Sequence, residues 1–289
     1  MPTLLAPAKI NVTLEILSRR DDGYHTLRSV MLPIALYDRI ELEPSARASF
    51  AASEPDLGSG NLVERALAAS GVQTTFAVAL QKEIPVGGGL GGGSSDAAAI
   101  VRAAMEGALG PRAERDWLAV ARELGSDVPF FLAGTGALVE GTGERVTALG
   151  SLPDWWTIVG RPHAFVPTSD AYRRLDERRA TRAAPSRPRS QSPSLVATDA
   201  IQRREFAALT AALVNDFHDL ILAAYPAVAR ADAALRAAGA RHVLLSGSGS
   251  CLFALFETEA PARATAAAID PAAFEALFVV PFHHDGAWR

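Results

Sequence analysis

An intramolecular disulfide is closed to this chain of 289 residues, because Cys251 is its one cysteine, and a reducing compartment is expected. No apolar run approaches the length that a bilayer crossing needs, so no membrane partner is expected. Met1 to Lys9 carries no basic stretch followed by an apolar core, so a secretory leader is not expected and the protein is placed in the cytoplasm. An excess of positive charge is missing too, and the net charge of −4 argues against nucleic acid as a partner. Scarcest of all is lysine: of 28 basic residues only Lys9 and Lys82 are lysine, the others being arginine. Lysine offers a compact ammonium on a flexible stem, suited to a point contact with a phosphate or hydroxyl. Two lysines could also survive by chance, so their positions must decide.

What is present is ordinary for a globular protein: 49% hydrophobic and 21% charged residues, in a length sufficient for one large domain or two medium ones. Extended segments are expected at 13–17, 26–36 and 39–43, with the polar turn Arg19–Gly23 between the first two. The apolar spacing predicts helices over 61–69, with Asn61 as N-cap, over the alanine-rich 96–109, and over 112–124, ended by Gly125. Further strands are expected at 75–80, 137–140, 145–149, 156–159, 242–245, 251–256 and 277–280, and helices at 170–179, 206–214 and 227–238. The stretch 180–198, rich in Arg, Ser and Pro without apolar period, reads as a mobile, solvated loop. Its arginines raise an RNA-binding arm as the alternative, which the net charge disfavours. Strands and helices in mixed order, with antiparallel connections, point to an α+β fold rather than a doubly wound sheet.

The segment that carries chemistry runs from Pro85 to Asp96, with six glycines among the seven residues 87–93, and leads into the alanine-rich helix. Glycines let backbone N–H groups approach an anion, and a helix N-terminus adds unpaired N–H groups and the positive end of its dipole. Ser94 and Ser95 bring hydroxyls to the same place. A phosphate-binding loop is therefore expected, against the alternative of a surface loop with a serine cap. Gly87 to Gly92 also fits the dinucleotide fingerprint G-x-G-x-x-G, but Glu114 and Asp116, about 20 positions on, lie in a charged helical stretch rather than at a strand end. A Walker A loop is excluded, because no lysine followed by Ser or Thr comes after the glycines.

Phosphoryl transfer needs charge neutralisation and a group that orients or deprotonates the attacking hydroxyl. Asp127, in Leu124-Gly-Ser-Asp-Val-Pro129, is the leading carboxylate, although an aspartate before Val-Pro is equally a helix N-cap. Lys9, in Pro7-Ala-Lys-Ile-Asn11, is equally a strand-edge lysine when read alone.

Read together, Pro7-Ala-Lys-Ile-Asn11, Asp22-Gly-Tyr-His25, the glycine loop, Leu124–Pro129 and Leu245-Ser-Gly-Ser-Gly-Ser250 occur in an order that resembles the GHMP small-molecule kinases. The likeness runs from about Leu5 to Phe256. Asp22–His25 and the long glycine loop resemble one branch of that family, which phosphorylates the 2-hydroxyl of a cytidine diphosphate-linked sugar alcohol in the non-mevalonate isoprenoid route. The resemblance implies an N-terminal domain of ribosomal protein S5 domain 2-like fold over 1–150 and a ferredoxin-like C-terminal domain over 151–289, with the site between them. It implies Asp127 as general base and Lys9 beside it as the group that stabilises the transferring charge. It implies ATP on Pro85, Val86, Gly87, Gly88, Gly89, Leu90, Gly91, Gly92, Gly93, Ser94 and Ser95, with Asn61 and Lys82 near the adenosine part. It places the cytidine end of the substrate on Tyr24, His25 and Tyr172, the base stacking between the two tyrosines, with Asn11 and Thr168 nearby. Magnesium is expected with ATP, and its protein ligands are not identified. Gly92 and Gly93 intervene before the serines where the wider family has Ser-Ser directly after Gly-Leu-Gly. A monomer or weak homodimer is expected. The alternatives are a homoserine or mevalonate type of GHMP kinase, against which Asp22–His25 argues, and a catalytically silent nucleotide-binding regulator, against which the retention of Lys9 and Asp127 argues.

Overall fold

The longest elements come first in the chain and set the frame for the rest. The structure, a computed structural model, describes residues 3–54, 57–58, 60–181 and 191–283. Strands β1 (Thr3–Arg19) and β2 (His25–Pro44) form an antiparallel hairpin. The segments expected at 26–36 and 39–43 are therefore one strand. The charged Asp38 reads as an interruption in the sequence, but its carboxylate is buried and bonded, so pairing continues through it.

One part of β2 pairs with β5 (Ala137–Gly141) and another with β4 (Phe76–Gln81). Short strands β3 (Ser49–Ala52), β6 (Arg145–Ala148) and β8 (Val214–Asn215) complete this first sheet. The second sheet is antiparallel, in the order β11 (Phe274–Pro281), β7 (Trp156–Pro162), β10 (Leu252–Phe256), β9 (Val243–Leu245). Most of the second half of the chain builds on this sheet, while β8 returns to pair in parallel with β1.

Helices α1 (Leu62–Ser70), α2 (Gly92–Met105), α3 (Trp117–Leu124) and α4 (Val128–Ala133) pack on one face of the first sheet. Central among them, α2 is buried nearly all round through Ala97, Ala98, Ile100, Val101, Ala103 and Ala104. It starts at Gly92 rather than at Asp96, so the last four residues of the expected loop, Gly92–Ser95, are the first turn of a helix. Helix α3 starts at Trp117 rather than at 112, because Asp116 caps it by accepting from Leu118 N and Ala119 N, both at 3.1 Å, while Arg112 bridges to Val72.

In the second half, α5 (Thr168–Thr181) is followed by α6 (Pro193–Gln202), α7 (Phe206–Ala211), α8 (His218–Ala224), α9 (Pro226–Ala237) and α10 (Glu259–Ala267). The loop expected at 180–198 is corrected at both ends, since α5 runs to Thr181 and α6 begins at Pro193; residues 182–190 lie outside the described residues. What holds the start of α6 is polar and so invisible to apolar periodicity: Glu15 Oε2 accepts from Ser192 Oγ and Ser194 Oγ, each at 2.6 Å, and from Ser194 N at 3.1 Å.

The hairpin changes face where its register shifts, and that places the site. Ala6 packs in the core under α1–α4, but after the shift at Pro7/Ala8 the side chains of Ala8, Ile10 and Val12 belong to the core between the two sheets. Lys9 and Asn11 alternate with these residues and so point the other way. Below them a buried ion cluster ties three elements together. Lys82 Nζ donates to Asp38 Oδ2 and, at 2.7 Å, to Asp96 Oδ2, while Asp38 Oδ1 accepts from Glu83 N at 2.7 Å and Ile84 N at 2.9 Å. Burial disfavours the charge on Lys82, but Asp96 and Asp38 more than offset this and hold its pKa above the ordinary lysine value. Burial lifts the Asp96 carboxyl to about 7, against the pull of Lys82 and with the help of Asp38.

Lys82→Met would leave both carboxylates buried without their cation, and a loss of about 3–5 kcal/mol is expected in urea unfolding. A loss of less than about 1 kcal/mol, the scale of an exposed pair, would show that the ammonium is not what holds them. Asp96 sets a pH window of its own. Its folded pKa lies above the unfolded one, so the folded state binds the extra proton. Relative to Asp96→Asn, the wild-type protein is expected to lose stability as pH rises from about 4 to about 7, and to stay level above that. Parallel melting curves for the two proteins over that range would count against the shift.

Candidate active site

Two clefts open on the face to which Lys9 points. The larger, of about 1120 Å³, is lined by Lys9, Asn11, Tyr24, His25, Asp127, Thr168 and Tyr172 among others. The smaller, of about 360 Å³, is lined by Asn61, Lys82, the run from Pro85 to Ser94, and Asp96. Gly89 and Gly91 border both. The residues expected on the cytidine side thus gather in one cleft, those expected on the ATP side in the other, and the glycine loop is the wall between. Ser95 is the exception. Its side chain is buried, its hydroxyl has no partner among the described residues, and it lines neither cleft.

The loop itself alternates, with Gly87, Gly89 and Gly91 at φ of 71°, 78° and 74°. Such left-handed positions favour glycine, and Gly89 has a second reason to be one. A Cβ there would sit 2.2 Å from Ser246 O, because the turn at Ser246–Ser250 presses against the loop. Ser246 Oγ donates to Gly89 O at 3.0 Å, and Cys251 N donates to Gly88 O at 3.0 Å. From Gly91 the chain enters α2 without a side-chain cap and without an acidic residue in its first turn. Its leading N–H groups and the positive end of its dipole are left to whatever anion enters the cleft. Asn61 and Lys82, in contrast, already have partners. Asn61 caps α1 through Val63 N at 3.0 Å and Glu64 N at 3.1 Å, and the ammonium of Lys82 is held by Asp38 and Asp96.

At the junction of the clefts the buried ammonium of Lys9 donates to Asn11 Oδ1 at 2.6 Å and to Gly89 O at 2.9 Å. Asp127 Oδ2 lies 3.6 Å away, on a side chain that is 27% exposed. Asn11 is fixed in turn by Ser29, whose Oγ accepts from Asn11 Nδ2 at 2.9 Å. Burial lowers the pKa of Lys9, and the negative charge of Asp127 works against that. Asp127 does occupy the N-cap position of α4, as its sequence context allows, but its side chain makes no capping hydrogen bond.

Across the larger cleft, Thr168, Tyr172 and Asp176 recur at four-residue spacing and so share one face of α5. Thr168 Oγ1 and Ser248 Oγ are 2.9 Å apart and hydrogen-bonded. The His25 ring stacks on Tyr172, centroids 4.8 Å apart at 28°, and its Nε2 lies 2.8 Å from Asp176 Oδ1. Burial, and then the charge of Asp127, push the Tyr172 phenol up to about 12. Tyr24, at the turn of the hairpin, is 69% exposed, and the ring that covers Tyr172 is that of His25. Asp176 was not expected from the sequence. Its signal was there in the helical spacing from Tyr172. Asp38 had no such signal, because its partners are distant in sequence.

With this geometry in view, the comparisons with known proteins agree. Residues 61–135 match the family model described as GHMP kinases N terminal domain, and residues 197–276 the one described as GHMP kinases C terminal. A curated relative from Geobacter sp. (strain M21), 4-diphosphocytidyl-2-C-methyl-D-erythritol kinase, is 39% identical over 92% of this chain and 94% of its own length. The protein of that name from Deinococcus radiodurans is 38% identical over 91% of this chain and 87% of its own. Among solved structures, a 4-(cytidine 5'-diphospho)-2C-methyl-D-erythritol kinase superposes with a TM-score of 0.79 at 36% identity, covering 97% of this chain and 99% of that one. A homoserine kinase from Cytophaga hutchinsonii, with a TM-score of 0.69 at 19% identity over 98% of this chain and 95% of that one, shares the fold. The chain belongs to the GHMP kinase family, in the branch of the 4-diphosphocytidyl-2-C-methyl-D-erythritol kinases.

Proposed function

We propose that this chain transfers the γ-phosphoryl group of ATP to the 2-hydroxyl of 4-diphosphocytidyl-2-C-methyl-D-erythritol, a step in the non-mevalonate route to isoprenoid precursors. The observation that carries the reading is the pair at the junction of the clefts, where Asp127 is free of its capping bond and faces the buried ammonium of Lys9. ATP takes the smaller cleft, its phosphates on the glycine loop and the uncapped start of α2, and the sugar alcohol takes the larger one.

Asp127 accepts the proton of the attacking hydroxyl, whose oxygen bonds to the γ-phosphorus as the bond to the bridging oxygen of ADP breaks. Lys9, held on Asn11 and Gly89, faces the phosphoryl group and offsets the charge that spreads over its oxygens. Magnesium would supply neutralisation of phosphate charge, and a site of this kind would need to offer it only one or two protein oxygens. Ser94 fits that need, because it lines the smaller cleft and its hydroxyl has no hydrogen bond among the described residues. On the other side of the junction, Tyr172 supplies an aromatic surface for the cytosine and His25 a polar edge to hydrogen-bond it.

The test of the substrate is an ATPase-coupled assay against diphosphocytidyl-methylerythritol, mevalonate and homoserine, in which only the first is expected to turn over. Asp127→Asn keeps size and shape but cannot take the proton. It is expected to melt with the wild type, to bind ATP normally and to lose about 10²–10⁴-fold in kcat. Lys9→Arg keeps the charge but brings a bulkier planar group into a buried site, and a lower kcat is expected there too. Near-normal turnover by Asp127→Asn would remove it as the base. Tyr172→Ala is expected to raise KM for the cytidylated substrate by about 5- to 150-fold while KM for ATP stays put. An unchanged substrate KM in the folded variant would take Tyr172 out of the pocket.

A further inference from the structure

His25 is held from two directions before any ligand arrives. Its ring lies on Tyr172, and its Nε2 meets Asp176 Oδ1 at 2.8 Å, while Arg19 Nη1 lies 3.8 Å from the other carboxylate oxygen of Asp176. A carboxylate accepts and cannot donate, so the proton of that hydrogen bond is on Nε2 of the imidazole. In a neutral ring the other nitrogen is then an acceptor. That nitrogen, Nδ1, has no hydrogen bond among the described residues and is not sealed in, on a side chain that lines the larger cleft.

We propose that Asp176 is a positioning residue which makes the larger cleft selective for an amino-bearing pyrimidine, by holding His25 in the tautomer whose free nitrogen is an acceptor. The proposal rests on the reading of that cleft as the cytidine site. Cytosine presents an exocyclic amino group, a donor, where uracil presents a carbonyl oxygen. The amino group satisfies Nδ1, whereas the carbonyl would set two acceptors against each other in a desolvated place. Rejection by an unpaired polar group is the strong form of specificity, and the repulsive element here belongs to the protein. Stacking on Tyr172 cannot supply it, because both bases have the same planar face.

The experiment compares kcat/KM for the cytidine-linked substrate and its uridine-linked analogue in the wild type, Asp176→Asn, Asp176→Ala and Asp176→Glu, with KM for ATP as the control. An asparagine can donate to Nε2 from its amide and so permits the opposite tautomer, and alanine imposes neither. In both variants the preference for cytidine is expected to shrink by about 5- to 150-fold, and Asp176→Glu, which keeps a carboxylate, to restore part of it. KM for ATP is expected to stay level throughout. An undiminished cytidine preference in folded Asp176→Asn and Asp176→Ala would overturn the proposal. If the wild type does not turn over the cytidine-linked substrate at all, it is the reading of the cleft that fails. The tautomer is open to a direct check, independent of turnover and of whether the variants fold. The imidazole nitrogen resonances of isotope-labelled wild type, with His25 assigned through His25→Gln, are expected to show the proton on Nε2. A proton on Nδ1, whether alone or together with one on Nε2, would overturn the proposal.

Discussion

The carbonyl oxygen of Gly89 accepts from two donors at once, Lys9 Nζ at 2.9 Å and Ser246 Oγ at 3.0 Å. One atom therefore couples a strand of the first sheet, the glycine loop, and the turn between β9 and β10 of the second. Strand β1 is joined to the same loop again by Lys9 N, which donates to Leu90 O at 2.9 Å. The joint has no slack, since a side chain at position 89 would collide with the backbone of Ser246. The consequence is that the ammonium of Lys9 is held in place by the fold itself. Of its three donors, Asn11 and Gly89 take two, and the remaining one is left for Asp127.

The two lysines of the chain show how the same charge is put to opposite uses. Both are buried, which chance placement on the surface would not produce. Lys82 sits between two buried carboxylates, which hold its pKa up, so its charge is satisfied within the fold. Lys9 has one carboxylate, partly exposed and 3.6 Å away, and burial holds its pKa down. Its charge is the less well compensated of the two, so negative charge that develops beside it gains more. Rigid packing and electrostatic need thus coincide at the one lysine that borders both the loop and the larger cleft.

The sequence made local features legible where local physics decides them. Asn61 caps the helix it was expected to cap, and the strands at 75–80 and 156–159 lie where alternation put them, within a residue or three. Composition exposed the glycine loop and the motif order exposed the family. What escaped depends on contacts between distant residues. The span 3–12 of β1 is a strand because β2 pairs with it, although its own period is broken by the shift at Pro7/Ala8. Helix α6 is anchored by Glu15, far away in sequence, so its Ser-rich start reads as loop. Among the site residues, Lys9 and Asp127 each had an innocent local explanation. The uncapped carboxylate of Asp127 is a three-dimensional fact that no spacing could supply.

The two helices that flank the smaller cleft argue for the same division of labour. In α1, Asn61 accepts from Val63 N and Glu64 N, and Glu64 Oε2 accepts in return from Asn61 Nδ2 at 3.1 Å and Gly60 N at 2.7 Å, so the end of the helix is closed by its own side chains. Its neighbour α2 begins with Gly91 and Gly92, offers no side-chain acceptor, and has no acidic residue in its first turn. Capping is worth about 0.5–2 kcal/mol, and a carboxylate in the first turn would add to it through the dipole. The sequence does without both at α2. At Gly92 a side chain would crowd the ion cluster, since a Cβ there would lie 3.1 Å from Lys82 Nζ and 3.2 Å from Asp38 Oδ2. The ion cluster beneath the loop thus packs closely under Gly92, and the smaller cleft opens on Gly92, Gly93 and Ser94. The helix carries this uncapped end while its alanine-rich body is buried nearly all round. On the proposed function, the unsatisfied N–H groups at that end receive a phosphate.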